Sequence, residues 1–214
     1  RRVPGDDVAE QPPMLLPEAL SHSGYRAALV SSFVNGWSSF GVRVAIVPLF
    51  AAATFEDGAR IAGLALASFA VGTAVVISLA GYLTDRYGRK PLVLGGLVVS
   101  GVATIALGWS DTVPLLVGTS VVAGMGAGVL NPAQQAAVAD VIGADRAGGK
   151  VLATFQMASD SGAILGPVVV GLVVDRLGYT TGFVVSGVML MLATLPWIFA
   201  RETHPSRNGS VTGE

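Results

Sequence analysis

No cysteine occurs among the 214 residues, which excludes disulfides, thiol chemistry and cysteine-based metal centres. Histidine is almost as scarce: His22 and His204 are the only two, and both stand in polar stretches near the ends of the chain. That excludes a histidine-based site inside the apolar body. Charge is thin as well. Asp, Glu, Lys and Arg make up 13% of the residues, where a soluble domain carries about 25%, and so few cannot furnish a polar skin. The net charge of −1 lacks the basic excess that phosphate backbones require, so no nucleic-acid partner is expected. There is no phosphate-cradling G-x-x-x-x-G-K-[ST] loop, since Gly148-Gly149-Lys150-Val151 fails the pattern, and Gly124-Met125-Gly126-Ala127-Gly128 lies in an apolar run rather than after a strand. With no nucleophile–base or metal constellation, the chain is read as neither an enzyme nor a cofactor or metal binder. Residues 1–23 contain no sustained apolar run, so they are not a secretory signal.

What the chain has in abundance is apolar and small residues: 52% hydrophobic, 28 glycines, and a mean hydropathy of +0.65. That composition suits a chain solvated by lipid. A bilayer core about 30 Å thick needs about 20 residues of helix, and six runs meet that length, at about 24–54, 59–83, 91–109, 113–140, 151–175 and 179–200. They predict an all-α membrane protein of six transmembrane helices. Residues 1–23, with Pro4, Pro12, Pro13 and Pro17, are expected to form a flexible cytoplasmic linker, 24–200 the helical bundle and 201–214 a cytoplasmic tail. Because the chain opens on Arg1 rather than Met, it is expected to be a fragment or a processed piece. With the N-terminus inside, ten of the 13 cations fall on one side, only Arg60 and Arg176 on the other, and Arg43 within helix one. The positive-inside rule then puts both termini in the cytoplasm, with the plasma (cell inner) membrane as the expected location.

A repeat is visible across the bundle. Gly81-Tyr82-Leu83-Thr84-Asp85-Arg86-Tyr87-Gly88 closes helix two, and Gly171-Leu172-Val173-Val174-Asp175-Arg176-Leu177-Gly178 closes helix five. Both read G-x-x-x-D-R-x-G, ninety positions apart. Three crossings separate them, an odd number, so the copies lie on opposite sides of the membrane, as in a 3+3 inverted repeat. The physical roles are separable: Gly81 allows close helix approach, Asp85 can accept charge-assisted hydrogen bonds from Arg86 or a helix terminus, Gly88 supports a tight turn, and Arg89 and Lys90 keep the loop in the cytoplasm.

Extended through Arg89, Lys90 and Pro91, the first copy resembles the signature loop of the major facilitator superfamily. The resemblance covers the whole membrane part of the chain. It implies half of a twelve-helix transporter working by alternating access, with the Asp and Arg of the loop as a latch that breaks in one access state. Helix four lacks the arginine that many proton-coupled drug exporters carry in their first half, and the chain opens and closes on polar segments. Both features resemble the C-terminal half of a drug-exporter-like member. Gly162, Gly166, Pro167 and Gly171 resemble the exporters' G-x-x-x-G-P element, read as hinge or as plain packing. The resemblance implies proton-coupled efflux of a drug or metabolite, with a proton gradient as energy source and the lipid bilayer, a missing N-terminal half and a small-molecule substrate as partners. An importer or uniporter of the same family, and a six-helix channel, are the alternatives.

Ionisable groups within the bilayer cost roughly 2.5–3.5 kcal/mol each on insertion scales, so Asp160 in helix five and Arg43 in helix one call for a reason. Asp160 could carry a proton or hold a cationic substrate. Arg43 could attract an anion or neutralise an acid of the other half. Structural roles are open to both: hydrogen bonding between helices for Asp160, snorkelling for Arg43. Asn35, Asn131, Gln134, Gln135 and Gln156 are uncharged candidates for lining a cavity or for tying helices together. Asn131-Pro132 is expected to break or bend helix four, and Trp109 and Trp197 are expected to be interfacial anchors.

Overall fold

The computed structural model describes residues 12–143 and 146–200. Six helices long and apolar enough to cross a membrane are present: α1 (Ser23–Thr54), α2 (Gly58–Tyr87), α3 (Arg89–Leu107), α4 (Val113–Ile142), α5 (Gly149–Leu177) and α6 (Tyr179–Phe199). They fall on the six apolar runs, and no strand occurs among the described residues. The helices overrun the apolar runs at their polar ends. Asp85 and Arg86 remain helical, so that Gly88 alone separates α2 from α3, and Gly178 alone separates α5 from α6. Both glycines take positive φ, 91° and 84°, with nearly equal ψ, 168° and 167°. A side chain there would be strained, which is why the G-x-x-x-D-R-x-G pattern ends as it does.

Two expectations are corrected here. Of the break or bend expected at Asn131-Pro132, the break does not occur: α4 runs through Pro132 to Ile142, as proline inside a membrane helix can be tolerated among packed neighbours. The stretch expected as linker up to Ser23 is partly built in: Leu16–Ser21 is a short helix, Met14 and Ala19 are buried, and the Met14 amide donates to Ala147 O at 2.9 Å. Its apolar residues find a packing surface against the bundle that composition alone does not reveal. The tail 201–214 lies outside the described residues.

Glycine decides how the bundle packs. α2 packs on α4 and α1 on α5, while α3 sits between α4 and α6. At the α2–α4 contact, a Cβ on Gly72 would overlap Val121 O and one on Gly124 would overlap Phe69 O. At α1–α5, a Cβ on Gly162 would overlap Phe33 O and one on Gly36 would overlap Ser159 O. The two sets correspond: Gly72 and Phe69 lie ninety positions before Gly162 and Ser159, while Phe33 and Gly36 lie eighty-eight before Val121 and Gly124. Small residues thus let backbones meet where no hydrophobic force between helices exists. α2 and α5 bury the smallest shares of their spans, 22% and 17%, so they present the bundle's open apolar faces.

Within α1, the run Trp37–Ile46 is π-helical. The wider turn begins just after Gly36, where α1 is pressed against α5, and Gly41 within it meets Gly166 backbone to backbone.

Candidate functional site

Polar side chains converge where α1, α4 and α6 meet. Asn35 Nδ2 donates to Asn131 Oδ1 at 2.8 Å, and Gln134 Nε2 donates to the same oxygen at 3.4 Å. Gln134 Oε1 accepts from Ser31 Oγ at 3.1 Å, and Ser31 Oγ accepts from Trp197 Nε1 at 3.1 Å. Gln134, Ser31 and Trp197 are buried, whereas Asn35 and Asn131 are half-buried. The network therefore runs from the bundle core to its surface. Trp197 corrects an expectation: it is fully buried and hydrogen-bonded, so it is a core residue and not an interfacial anchor. Its indole N–H finds a partner, as buried tryptophan requires. Trp109, just beyond the end of α3, is exposed. A second indole bond joins the same pair of helices, from Trp37 Nε1 to Ser186 Oγ at 3.1 Å.

Beside the network, an open groove of about 680 Å³ lies between α4 and α5, lined by Gln135, Leu152, Phe155 and Gln156 among others. One turn along α5, the exposed Asp160 accepts from Gln156 Nε2 at 2.9 Å. Asp160 and Arg43 form no ion pair among the described residues. Arg43 is buried, its guanidinium 3.6 Å from the centre of the Phe69 ring, and its Nε has no hydrogen-bond partner among the described residues. A desolvated cation–π contact of this kind contributes about 2 kcal/mol, which partly offsets the cost of burying the charge.

The turn between α2 and α3 is held by ties from the start of α3 to two other helices. Arg89 Nε meets Asp140 Oδ2 at 2.9 Å, tying the start of α3 to the end of α4, with side-chain exposures of only 12% and 15%. Lys90 Nζ donates to Ile198 O and Ala200 O, each at 2.8 Å, and so caps the last carbonyls of α6. Arg86 is exposed, donates to Tyr82 Oη at 2.8 Å and lies near the rings of Tyr82 and Tyr87. Gly81 and Asp85 are helical, but their surroundings lie outside the described residues. Asp140 was not singled out from sequence; its only signal is an acid in the last turn of an otherwise apolar helix, opposite a run of cations.

Ninety positions after Lys90, Thr180 Oγ1 donates to Gly108 O at 2.8 Å and caps the end of α3. Ile198 and Gly108, the two acceptors, are again ninety positions apart. On α5, Gly162 and Gly166 press against α1, Pro167 is accommodated within the helix, and Gly171 has nothing within 4 Å of where a Cβ would sit. Gly171 therefore serves no close contact within this bundle. At the end of the bundle that carries the α4–α5 connection, Arg146 grips Glu18 at 2.5 and 2.9 Å and Pro12 O at 3.0 Å. The guanidinium holds the Glu18 carboxyl below the ordinary carboxylate range.

Residues 28–214 match the family model described as Major Facilitator Superfamily. An MFS-type transporter of Mycobacterium tuberculosis is 32% identical over 143 residues, 65% of this chain and 24% of that protein. A multi-drug resistance efflux pump PmrA homolog of Lactococcus lactis is 28% identical over 165 residues, 76% of this chain and 40% of the pump. Among solved structures, the POT family transporter PepTSo superposes with a TM-score of 0.73 at 17% identity, covering 86% of this chain and 39% of that one. The chain thus spans less than half the length of the proteins it is similar to.

Proposed function

The chain belongs to the major facilitator superfamily, and from that premise we propose that it is the C-terminal six-helix half of a secondary transporter that exports a drug or metabolite, driven by a proton gradient. The observation that carries the reading is the pairing of contacts at a constant shift. Glycine against carbonyl at α1–α5 repeats at α4–α2, and Lys90 on the end of α6 repeats as Thr180 on the end of α3. Such pairing is what a 3+3 inverted repeat requires, and it makes one rigid body that can rock against a second. The two open faces of α2 and α5 are where the other half would seat. The efflux-pump relative supports export, and the paucity of buried charge supports an uncharged or weakly polar cavity lining.

In the mechanism proposed, the half-buried Asn35 and Asn131 present hydrogen-bonding groups to the solute with buried Gln134 supporting Asn131 from behind, while Gln156 lines the groove of α4 and α5 and Asp160 follows one turn along. Asp160, which accepts a hydrogen bond from Gln156, is the group assigned to carry the coupling proton. Arg43 holds the outer part of α1 to α2 through Phe69 and is the counter-charge for an anion entering from the facing half. At the cytoplasmic end, Arg89, Asp140 and Lys90 fix the start of α3 and so the Gly88 turn that follows Gly81, Asp85 and Arg86 on α2, and the latch bears against the facing half as one piece. Gly162, Gly166 and Pro167 set the fit of α5 on α1, and Gly171 is left for contact with the facing half.

The test is efflux of ethidium from proteoliposomes of the intact transporter, with and without an imposed pH gradient. Acceleration by the gradient is expected. Gradient-independent flux that follows only the solute's own concentration would replace the exporter with a uniporter or a channel.

A further inference from the structure

The second copy of the repeated motif differs from the first in what surrounds its arginine. In the first copy Arg86 donates to Tyr82 Oη at 2.8 Å and lies near the rings of Tyr82 and Tyr87, so its own helix engages it. Ninety positions later both tyrosines are leucines, Leu172 and Leu177, which accept no hydrogen bond. Arg176 is exposed and has no hydrogen-bond or ion-pair partner among the described residues. Asp175 does not supply one, since consecutive residues of a helix do not face each other. Arg176 instead borders an open recess of about 330 Å³ near the end of α5, whose other walls are Val169, Leu172, Val173 and Leu177. Gly171, within the same stretch, has open space where a Cβ would sit, so no side chain of its own keeps a neighbouring helix away. An unpaired guanidinium beside apolar walls is complementary to a carboxylate carried on an apolar surface.

Resting on the transport reading above, in which the facing half seats on α5, we propose that this recess is an outer clasp. Arg176 receives a carboxylate from the outer end of the facing half and holds the transporter shut on the outside, as the latch before Gly88 holds it shut on the inside. Three crossings separate the two copies, so they close opposite ends and act in opposite access states. A charge-assisted bond made only in the state closed outside shifts the balance between the states by its own differential strength.

This chain has no cysteine, so single cysteines can report on each end of the intact transporter once any in the facing half are replaced. Leu172→Cys, in the recess, is labelled by an impermeant maleimide from outside; Gln135→Cys, in the groove of α4 and α5 toward the opposite end, is labelled in inside-out vesicles. Arg176→Gln is expected to speed labelling of Leu172→Cys about tenfold, the size of one charge-assisted hydrogen bond. It should also slow labelling of Gln135→Cys, because opening outside closes inside. Arg176→Lys, which keeps the charge, should restore most of both parent rates. A rise at Leu172→Cys without a fall at Gln135→Cys is local exposure and overturns the clasp, as does no change at either. In dodecyl maltoside, which carries no phosphate, the rise should persist; a rise confined to the bilayer gives Arg176 to a lipid headgroup and overturns the clasp. Asp85→Asn, which weakens the inner latch, should move both rates the other way. If it does so while Arg176→Gln moves neither, this inference alone is rejected, and gradient-driven ethidium efflux by the same preparation reads the transport assignment separately.

Discussion

Arg89 and Asp140 meet with most of both side chains out of water, whereas Arg86, three residues earlier, faces solvent across Tyr82. Breaking a charge-assisted bond that is largely buried costs about 1–3 kcal/mol, while an exposed side chain removed from its neighbours changes stability by about 0.5 kcal/mol or less. Asp140→Asn should therefore lower the thermal unfolding midpoint in detergent clearly, and Arg86→Ala hardly at all; equal effects would deny the ion pair its structural part. Glu18 offers a test by pH. Its carboxyl is held below the ordinary value of 4.5 by Arg146, so the contact is fully formed above that value and is lost as pH falls through the lowered one. Exchange of the Met14 amide, corrected for its intrinsic rate, should speed up on acidification below 4.5, and Glu18→Gln should abolish that dependence. At this scale the cations of the loop were legible because they come as a pattern around Gly88. Asp140 was not, because one acid at a helix end has no signature until the fold brings Arg89 to it.

The helices themselves were legible because their lengths and compositions must match a bilayer. Their mutual approach was only partly so. Gly162 and Gly166 could be singled out by spacing, but nothing in the sequence says that Gly36 and Gly162 press on carbonyls while Gly63 and Gly171 press on nothing. Gly36→Ala and Gly162→Ala should each destabilise the bundle by about 1–3 kcal/mol, the usual cost of overpacking, with loss of monodisperse protein on size exclusion. Gly171→Ala should leave the unfolding midpoint of the bundle unchanged, so that any loss of transport in that variant would point to the contact with a facing half. Trp197 was misjudged for a related reason. A tryptophan near the end of an apolar run fits an interface as well as a core, and only the packing of α6 on α1 distinguishes them.

For the molecule as a whole, the positive-inside count and the inverted repeat make a joint prediction. A cysteine introduced beside Lys90 should be labelled by an impermeant maleimide only after the cell is opened, and one beside Arg176 in intact cells. The same orientation for both would contradict the inversion. Asp160→Asn should flatten the pH dependence of ethidium efflux and Asp85→Asn should slow it without unfolding the protein; an unaltered profile in the first would return Asp160 to a structural role. The sequence alone determined that this chain lives in lipid, crosses it six times and carries one motif twice, because hydropathy, charge and the residues a positive φ demands are properties of a segment read by itself. Which glycines touch, that Asp140 answers Arg89, and that Trp197 anchors a line of amides were decided only by tertiary structure. Those facts depend on residues up to 166 positions apart meeting within about 3 Å, and no local pattern encodes a meeting that the packing of other helices brings about.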